Sequence, residues 1–190
     1  MTTRLRCFLP FACAALLAAA DSIPAQEAML QIDPALTKVS FTLGDVLHTV
    51  HGTFALKRGT IRFDTLNGKA SGELVVDAAS GNSGSAARDR RMKASILETD
   101  RYPEIAFRPD HVQGRVAPQG TSQVELHGTF LIHGVEHEIT LPLQVQAAAG
   151  KYTASGKFTV PYVKWGMKNP STLLLRVSDK VDIDIETVAH

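Results

Sequence analysis

Residues 124–146 form two consecutive runs in which apolar and polar side chains alternate, and the same pattern recurs through most of the chain. Side chains of a β-strand point alternately to its two faces, so a run with apolar groups at every second position predicts a strand with one apolar face. Both runs keep this spacing, with Gly128 in place of one apolar side chain. The segment therefore predicts a β-hairpin that is apolar on one side only.

The connection of this hairpin decides which residues face one another. A turn centred on Gly134-Val135 predicts that Phe130 pairs with Ile139, which keeps the apolar groups of both strands on one face. Pro142 lies on the polar face and has no N–H to donate to a neighbouring strand. It predicts a local break in the ladder or a sheet edge.

Seven further runs alternate in the same way and are separated by turn signals such as Asn67-Gly68. Arg58-Gly59 is interpreted as another turn, with a short strand on either side of it. Successive short strands of this kind are typical of an antiparallel sandwich or barrel. The predicted strands lie at residues 38–43, 50–56, 60–64, 73–77, 105–107, 157–162 and 181–186.

The apolar faces of these strands predict one shared interior. Six phenylalanines are each in phase with the apolar face of their own strand: Phe41, Phe54, Phe63, Phe107, Phe130 and Phe158. A sandwich fills such an interior with side chains, whereas a barrel of about eight strands is either filled or encloses one small ligand. The alternation alone does not distinguish a filled interior from a hollow one.

Residues 79–103 break the alternation. Within them, Ala86–Lys93 is the best helical segment of the chain, preceded by a loop rich in Ser and Gly. Its many charges favour a solvated helix face. The alternative is that Arg88 or Asp89 is buried at a barrel rim and pairs with polar backbone groups.

The first 20 residues have the layout of a secretory signal peptide. Arg4 and Arg6 form a basic head, 14 apolar residues follow, and small residues suited to cleavage end at Ala20 or Ala25. A membrane anchor is the alternative, but 14 apolar residues are fewer than the roughly 20 that span a bilayer. Export and cleavage after residue 20 or 25 are therefore predicted, which places the mature protein in the periplasm or outside the cell.

Composition narrows the function further. Both cysteines, Cys7 and Cys13, lie in the predicted signal peptide, so the mature chain has no disulfide and no thiolate ligand. Removing Arg4 and Arg6 from the 20 basic side chains leaves 18 against 19 acidic ones. This balance does not indicate binding to nucleic acid or to an anionic membrane surface. No second long apolar run follows, so no transmembrane segment is predicted in the mature chain.

Seven histidines raise the alternative of an enzyme or a metal site. A zinc site needs three or four ligands about 2 Å from the metal. His127 and His133 share one face but lie six residues apart, roughly 20 Å along a strand. The sequence has neither an H-E-x-x-H helix nor a G-x-S-x-G elbow. No metal site and no catalytic residue are predicted, although Ser, His and Asp side chains from different strands can still meet in space.

Several short motifs, taken together in their order and spacing, resemble the YceI-like family. The resemblance covers residues 29–188 and implies an all-β fold, an extended antiparallel lipocalin-like β-barrel of about eight strands with a short helical insertion. It also implies a polyisoprenoid or related lipid inside the barrel. The motifs are Val-Ser-Phe-Thr-Leu43, His51-Gly-Thr-Phe54, Arg88-Asp89, Ile96-Leu-Glu-Thr-Asp-Arg-Tyr-Pro103, Glu104-Ile-Ala-Phe107, Gly128-Thr-Phe-Leu-Ile-His-Gly-Val135 and Ile139-Thr-Leu-Pro142.

The resemblance and the alternation together give a set of candidate contacts. A lipid tail offers only apolar surface, and burying it yields roughly 25 cal/mol per Å² without any polar contact. Arg88, Asp89 and Tyr102 are expected at the pocket mouth, where polar groups would bind the lipid head. The inward side chains expected to contact the tail are Phe41, Phe54, Phe63, Leu74, Val76, Phe107, Leu126, Phe130, Ile139, Leu141, Phe158 and Tyr162.

The predicted function is that of an exported, non-catalytic protein that sequesters or carries an isoprenoid or other long-chain lipid. That lipid is the expected ligand, and no cofactor is predicted. The oligomeric state stays open, and a homodimer is one of the states that the sequence allows. The alternatives are a barrel with a filled core that serves as an interaction or stress-response module without a ligand and, less favoured, a hydrolase.

Overall fold

Nine β-strands and one short α-helix make up most of the residues that the structure, a computed structural model, describes: 27–44, 49–173 and 176–190. The predicted signal peptide lies outside the described residues. The helix α1 spans Ala86–Arg91 and continues into a π-helical turn at Met92–Ile96, and a 3-10 turn at Pro34–Leu36 separates the first two strands. The strands are β1 (Glu27–Gln31), β2 (Lys38–Gly44), β3 (Thr49–Asp64), β4 (Ala70–Asn82), β5 (Glu104–Gln113), β6 (Gly120–Ile132), β7 (Val135–Ala148), β8 (Lys151–Val160) and β9 (Val181–Ala189).

The strands form one antiparallel sheet that closes into a barrel. Their order is β1-β3-β2-β9-β8-β7-β6-β5-β4, and β3 also pairs with β4. One edge of β3 pairs with β2 through residues 49–54 and with β1 through residues 60–64, so β1 and β2 together fill a single position. The barrel therefore has eight strand positions and one helical insertion, and the predicted fold class is confirmed.

β3 runs without a break through Arg58-Gly59, where the sequence predicted a turn, and that prediction was wrong. A shift in the pairing with β4 between Leu56 and Arg58 marks a bulge, which bends a strand without ending it. Gly59 is required for close packing, because a Cβ there would lie 2.9 Å from the Cβ of Ile32. This glycine thus lets the chain segment after β1 approach β3 and does not reverse the chain.

The β6–β7 hairpin turns at His133-Gly134, one residue earlier than predicted. Both residues have positive φ, 52° and 74°, as a two-residue type I′ turn requires. Phe130 therefore pairs with His137, and its predicted pairing with Ile139 was wrong. The register differs by two residues, which leaves the apolar groups on the same face because side chains alternate with a period of two.

Pro142 marks the point at which β7 and β8 part, in agreement with the predicted break in the ladder. β8 pairs with β7 only beyond this residue, and residues 135–142 of β7 have no pairing with β8. The segment 161–167 follows β8 and brings the Trp165 ring onto His137, with 4.0 Å between the ring centroids and 7° between the planes. Side chains thus complete the barrel wall where the backbone ladder stops.

Two groups of buried apolar side chains occupy the interior. The first, which we call the packed half, includes Phe63 and Leu126 and is filled by side chains from most of the strands. The second includes Leu97, Tyr162 and Met167 and lies toward α1 and the segment after β8. The interior of the barrel is therefore different at its two ends, and the end beside α1 contains the candidate site.

Candidate functional site

An apolar cavity of about 490 Å³ occupies the half of the barrel beside α1. Its size lies within the range of small-molecule sites, about 300–1,000 Å³. The described side chains of its wall are aliphatic, aromatic or thioether groups, apart from those of Ser83, Arg88, Arg91 and the Tyr162 hydroxyl. No carboxylate, imidazole or lysine is among them. Such a wall suits a long apolar molecule.

Most of the side chains predicted to contact a lipid tail line this cavity. Phe63, Leu126 and Ile139 instead belong to the packed half of the barrel. Both groups point inward on their strands, as alternation predicts. Alternation sets the face of the sheet that a side chain occupies, but it does not set the position of that side chain along the barrel axis. The predicted side chains that line the cavity are Phe41, Phe54, Leu74, Val76, Phe107, Phe130, Leu141, Phe158 and Tyr162.

Phe41 forms part of the wall because Gly52 leaves room for its ring. The two residues are paired across β2 and β3, and a Cβ at Gly52 would collide with the ring and with the carbonyl of Asn82. The Phe41 ring also packs against Phe54, with 5.3 Å between the centroids. The inward glycine therefore makes space for a wall side chain and not for a ligand.

The cavity opens beside α1. Ala87, Arg88 and Arg91 line it and are exposed to solvent at the same time. A long apolar molecule held in the cavity would meet the guanidinium groups of Arg88 and Arg91 where it leaves the protein. Guanidinium groups bind phosphate and carboxylate through paired, charge-assisted hydrogen bonds.

Arg88 and Asp89 fasten α1 to Ser83, which directly follows β4. Arg88 donates from Nε to Ser83 Oγ at 2.7 Å and from Nη2 to the Ser83 carbonyl at 2.8 Å. Asp89 Oδ1 accepts from the Ser83 hydroxyl at 2.5 Å and from the Ser83 N–H at 2.9 Å. The hydrogen bond from the hydroxyl is the main reason that the pKa of Asp89 lies below its usual value.

The two alternatives for this helix are therefore each partly right. Arg88 pairs with a backbone carbonyl at the barrel rim, yet its side chain stays exposed. Asp89 is half-buried but does not line the cavity. The pair holds the mouth in place, and only Arg88 faces the space that a ligand would fill.

Tyr102 supports the β6–β7 turn and does not line the cavity. Its ring lies 4.6 Å from the His133 ring, and a Cβ at Gly134 would lie 2.5 Å from Tyr102 Cε1. The guanidinium of Arg101 lies over the same ring, 5.1 Å from its centroid. Tyr102 is thus packed against the tip of the hairpin and lies outside the lining of the cavity.

The segment after β8 contributes to the wall of the cavity. Met167 is buried in the wall, and the Tyr162 hydroxyl donates a hydrogen bond of 2.7 Å to the Ser178 carbonyl. Burial raises the pKa of Tyr162 to about 12. The phenol therefore stays neutral at any physiological pH and serves as a fixed hydrogen-bond donor.

His137 and Trp165 form the contact that seals the β7–β8 seam. The His137 Nε2 atom is buried without a hydrogen-bond partner, and burial lowers the pKa of this residue. The neutral imidazole is therefore the form that stacks on Trp165. Phe130, which lines the cavity, lies 5.9 Å from the Trp165 ring, so the single tryptophan of the chain lies one side chain away from the cavity.

Sequence reasoning missed Arg91 and Met167, which both line the cavity. Arg91 comes from helix α1 and Met167 from the irregular segment after β8, and strand alternation assigns no inward face in either place. The available signal was composition: Trp165 and Met167 are large apolar residues in an otherwise polar segment between Lys164 and Asn169. Such residues in a loop indicate that it packs against something apolar.

A cluster of three polar residues, Asp110, His127 and Glu138, lies on the outer face of the barrel. Sequence reasoning missed this cluster as well. His127 Nδ1 lies 2.8 Å from Asp110 Oδ1, and His127 Nε2 lies 3.6 Å from Glu138 Oε2. The hydrogen bond with Asp110 raises the pKa of His127. These three residues are placed so that they could hold a metal ion. The two carboxylates contact opposite ring nitrogens of His127, and this arrangement also fits a protonated imidazole that donates a hydrogen to each carboxylate. The register of three strands brings them together, and no local motif reveals it.

The alternating strands, the helical insertion and the lined cavity agree with what sequence comparison finds. Residues 30–189 match the model of the YceI-like domain. The chain belongs to the YceI-like family. No curated protein matches it.

Solved structures of low sequence identity share the fold. BcnA of Burkholderia cenocepacia superposes with a TM-score of 0.69 at 18% identity, over 84% of this chain and 99% of that one. A polyisoprenoid-binding domain from Saccharophagus degradans, implicated in plant cell wall breakdown, gives 0.67 at 17% identity, over 85% and 97%. The YceI protein of Campylobacter jejuni gives 0.59 at 21% identity, over 75% and 85%. Within the described ranges, no helix combines the length and apolar character needed to cross a membrane.

Proposed function

We propose that the protein is an exported, non-catalytic carrier that holds the chain of a polyisoprenoid or a similar long-chain lipid in the barrel cavity. The cavity carries this proposal, because about 490 Å³ of space is bounded almost entirely by apolar side chains. Water gains few hydrogen bonds in such a space, and an apolar chain that fills it is favoured.

The energetics are sufficient without specific polar contacts. Each methylene that moves from water into the cavity contributes about 0.8 kcal/mol, so ten of them contribute about 8 kcal/mol before the cost of ordering the chain. Before that cost is subtracted, about 8 kcal/mol corresponds to a Kd in the micromolar range, and the cost of ordering weakens binding from there. The wall therefore supplies most of the affinity for a long chain, and contacts with the head group add to it.

The mouth favours a lipid with an anionic head. Arg88 and Arg91 line the opening and are exposed, so they can bind a phosphate or carboxylate without losing much hydration. Asp89 and Tyr102, the other residues predicted at the mouth, are proposed to act through position: Asp89 holds α1, and Tyr102 supports the β6–β7 turn.

The same lining supports binding over catalysis. General acid–base catalysis needs a titratable group within hydrogen-bond reach of the substrate, and the described lining has no carboxylate or imidazole. The likeness to a domain described as polyisoprenoid-binding agrees with this assignment. The basic and apolar pattern of residues 1–20 supports export to the periplasm or the medium.

Native mass spectrometry of protein purified from its own host without detergent tests the proposal. A bound molecule of isoprenoid or fatty-chain mass, recovered by organic extraction, is the expected result. Loading of added polyprenyl phosphate should change the fluorescence of Trp165, which packs against the cavity residue Phe130. Protein that carries no lipid and takes up none would contradict the proposal and favour an interaction module whose surface is the active part.

A matched pair of variants locates the binding site. Ile183 on β9 lines the cavity, whereas Val188 on the same strand is half-buried and lies outside it. Ile183→Gln places an amide in the cavity and should abolish lipid retention, while Val188→Gln should retain the lipid. Equal retention by both variants would show that the lipid binds elsewhere.

A further inference from the structure

The cavity has an internal end wall inside the barrel. Four of the buried residues of the packed half also line the cavity: Leu56, Leu74, Phe107 and Leu141. We call them the floor residues. Each is at most 9% exposed, and Leu74 and Phe107 are direct neighbours across β4 and β5. They are positioned where the hollow and the packed halves meet.

The space behind the floor is already filled. Phe63, Val112, Val124, Leu126 and Val145 pack there, and none is more than 8% exposed. Interiors packed to this degree do not admit an extra chain without strain. A molecule that enters beside α1 therefore ends at the floor residues and does not pass through the barrel.

The distance from mouth to floor can be read along the strands. The cavity is lined from Val181 to Ile185 on β9, a span of four residue steps, and from Val50 to Leu56 on β3, a span of six steps. At about 3.3 Å per step these spans are roughly 13 and 20 Å along the strands, and a strand tilt of about 40° to the barrel axis shortens them to roughly 10 and 15 Å of depth. A zigzag carbon chain advances about 1.25 Å per bond, so the cavity houses roughly 8 to 12 bonds of one extended chain.

We propose that the floor residues set the chain length that this protein binds, an inference that rests on the proposed function and specifies its ligand. One extended chain of roughly 8 to 12 bonds is enclosed completely, and a longer one folds back or leaves its outer end in water. Each methylene that is enclosed tightens binding about fourfold, whereas each one beyond the limit contributes little. The affinity should therefore rise steeply with chain length and then level off.

Competition of unbranched fatty acids of about 8 to 22 carbons for the wild-type protein, followed by native mass spectrometry, measures this break point. Phe107→Ala removes a ring that extends roughly 4 Å, so it should move the break point about three bonds toward longer chains. Phe63→Ala is the matched control, because Phe63 is equally buried, at 7% against 6%, but lies behind the floor. It should lower thermal stability as well and leave the break point unchanged.

A second variant keeps the test valid if Phe107→Ala does not fold. Val76→Phe adds a ring to a lining residue, where the cavity has room for it, and should move the break point about three bonds toward shorter chains. A constant gain per methylene up to about 22 carbons, or the same shift in Phe107→Ala and Phe63→Ala, would overturn the inference while lipid binding itself stands. Failure to bind any chain would overturn the proposed function instead, and the floor with it.

Discussion

Substitution of Gly52 by alanine tests whether the cavity wall requires a residue without a side chain at this position. A Cβ at this position would collide with the Phe41 ring and with the backbone carbonyl of Asn82. The ring must then tilt toward open volume, which is available in the cavity that it lines. The substitution should therefore cost stability and reduce the space for a ligand at the same time.

The size of the effect follows from the kind of strain. Adding a methyl group to a well-packed site costs about 1–3 kcal/mol. For a domain of this size, each kcal/mol lowers Tm by about 2–4 °C. Gly52→Ala should therefore lower Tm by about 2–12 °C, and it should bind long fatty acids less tightly than the wild type does.

Gly44→Ala is the matched control for this substitution. Gly44 belongs to the same β2–β3 pairing, at the end of β2, and does not have positive φ, but a Cβ there meets no atom within 4 Å. It should leave Tm within about 2 °C, since substitutions away from packed features usually change stability by less than about 0.5 kcal/mol. Differential scanning calorimetry measures both values. Equal Tm values for Gly52→Ala and Gly44→Ala would refute the reasoning about the wall.

Four further predictions concern the seam, the outer face and the closing segment. Trp165→Ala removes the stack on His137 and should lower the free energy of unfolding by about 2 kcal/mol, less than the loss of a fully buried tryptophan would. Urea titrations followed by circular dichroism measure this change, and an unchanged free energy of unfolding would contradict a sealed seam. Burial lowers the pKa of His137, so its neutral form stabilises the protein above pH 6.5 and this contribution is lost as the pH falls through the folded-state value; His137→Gln should flatten the fall of Tm from about pH 7 to 5. The pKa of His127 is raised, so its contribution is present below pH 6.5 and lost as the pH rises; His127→Gln should lower Tm more at about pH 6 than at about pH 8, and an equal effect would count against the ion pair. Tyr162→Phe leaves the Ser178 carbonyl without its donor and should cost about 1 kcal/mol, with no dependence on pH below about 11 because the pKa of Tyr162 is about 12.

The sequence determined the class of the fold through a local property. In strands such as β2, the alternation of Val39 and Phe41 with Lys38 and Ser40 requires one face to be buried. Repeated along the chain with turns between, it leaves a sandwich or a barrel as the arrangement that buries every apolar face. The charged insertion at Ala86–Arg91 was found in the same way, because it was the one long interruption of that pattern.

Registers and turns were less accessible from the sequence. The turn at His133-Gly134 was placed one residue late, and a turn at Arg58-Gly59 was predicted where β3 continues. Both dipeptides contain a glycine, but a glycine serves either a positive φ, as at Gly134, or a close approach, as Gly59 does beside Ile32. Only the neighbouring strand decides between the two, and the neighbour is remote in sequence.

The sequence determined that the site is apolar, and the tertiary structure determined where in the barrel the site lies. Phe107 and Phe63 have the same residue type, the same inward phase and nearly equal burial, yet one borders the cavity and the other packs behind it. Alternation along a strand specifies which side of the sheet a side chain occupies. The stagger between strands specifies its height in the barrel, and that stagger arises only when the sheet closes. The sequence therefore determined that the barrel has an apolar interior, and closure of the sheet decided which end of it is hollow.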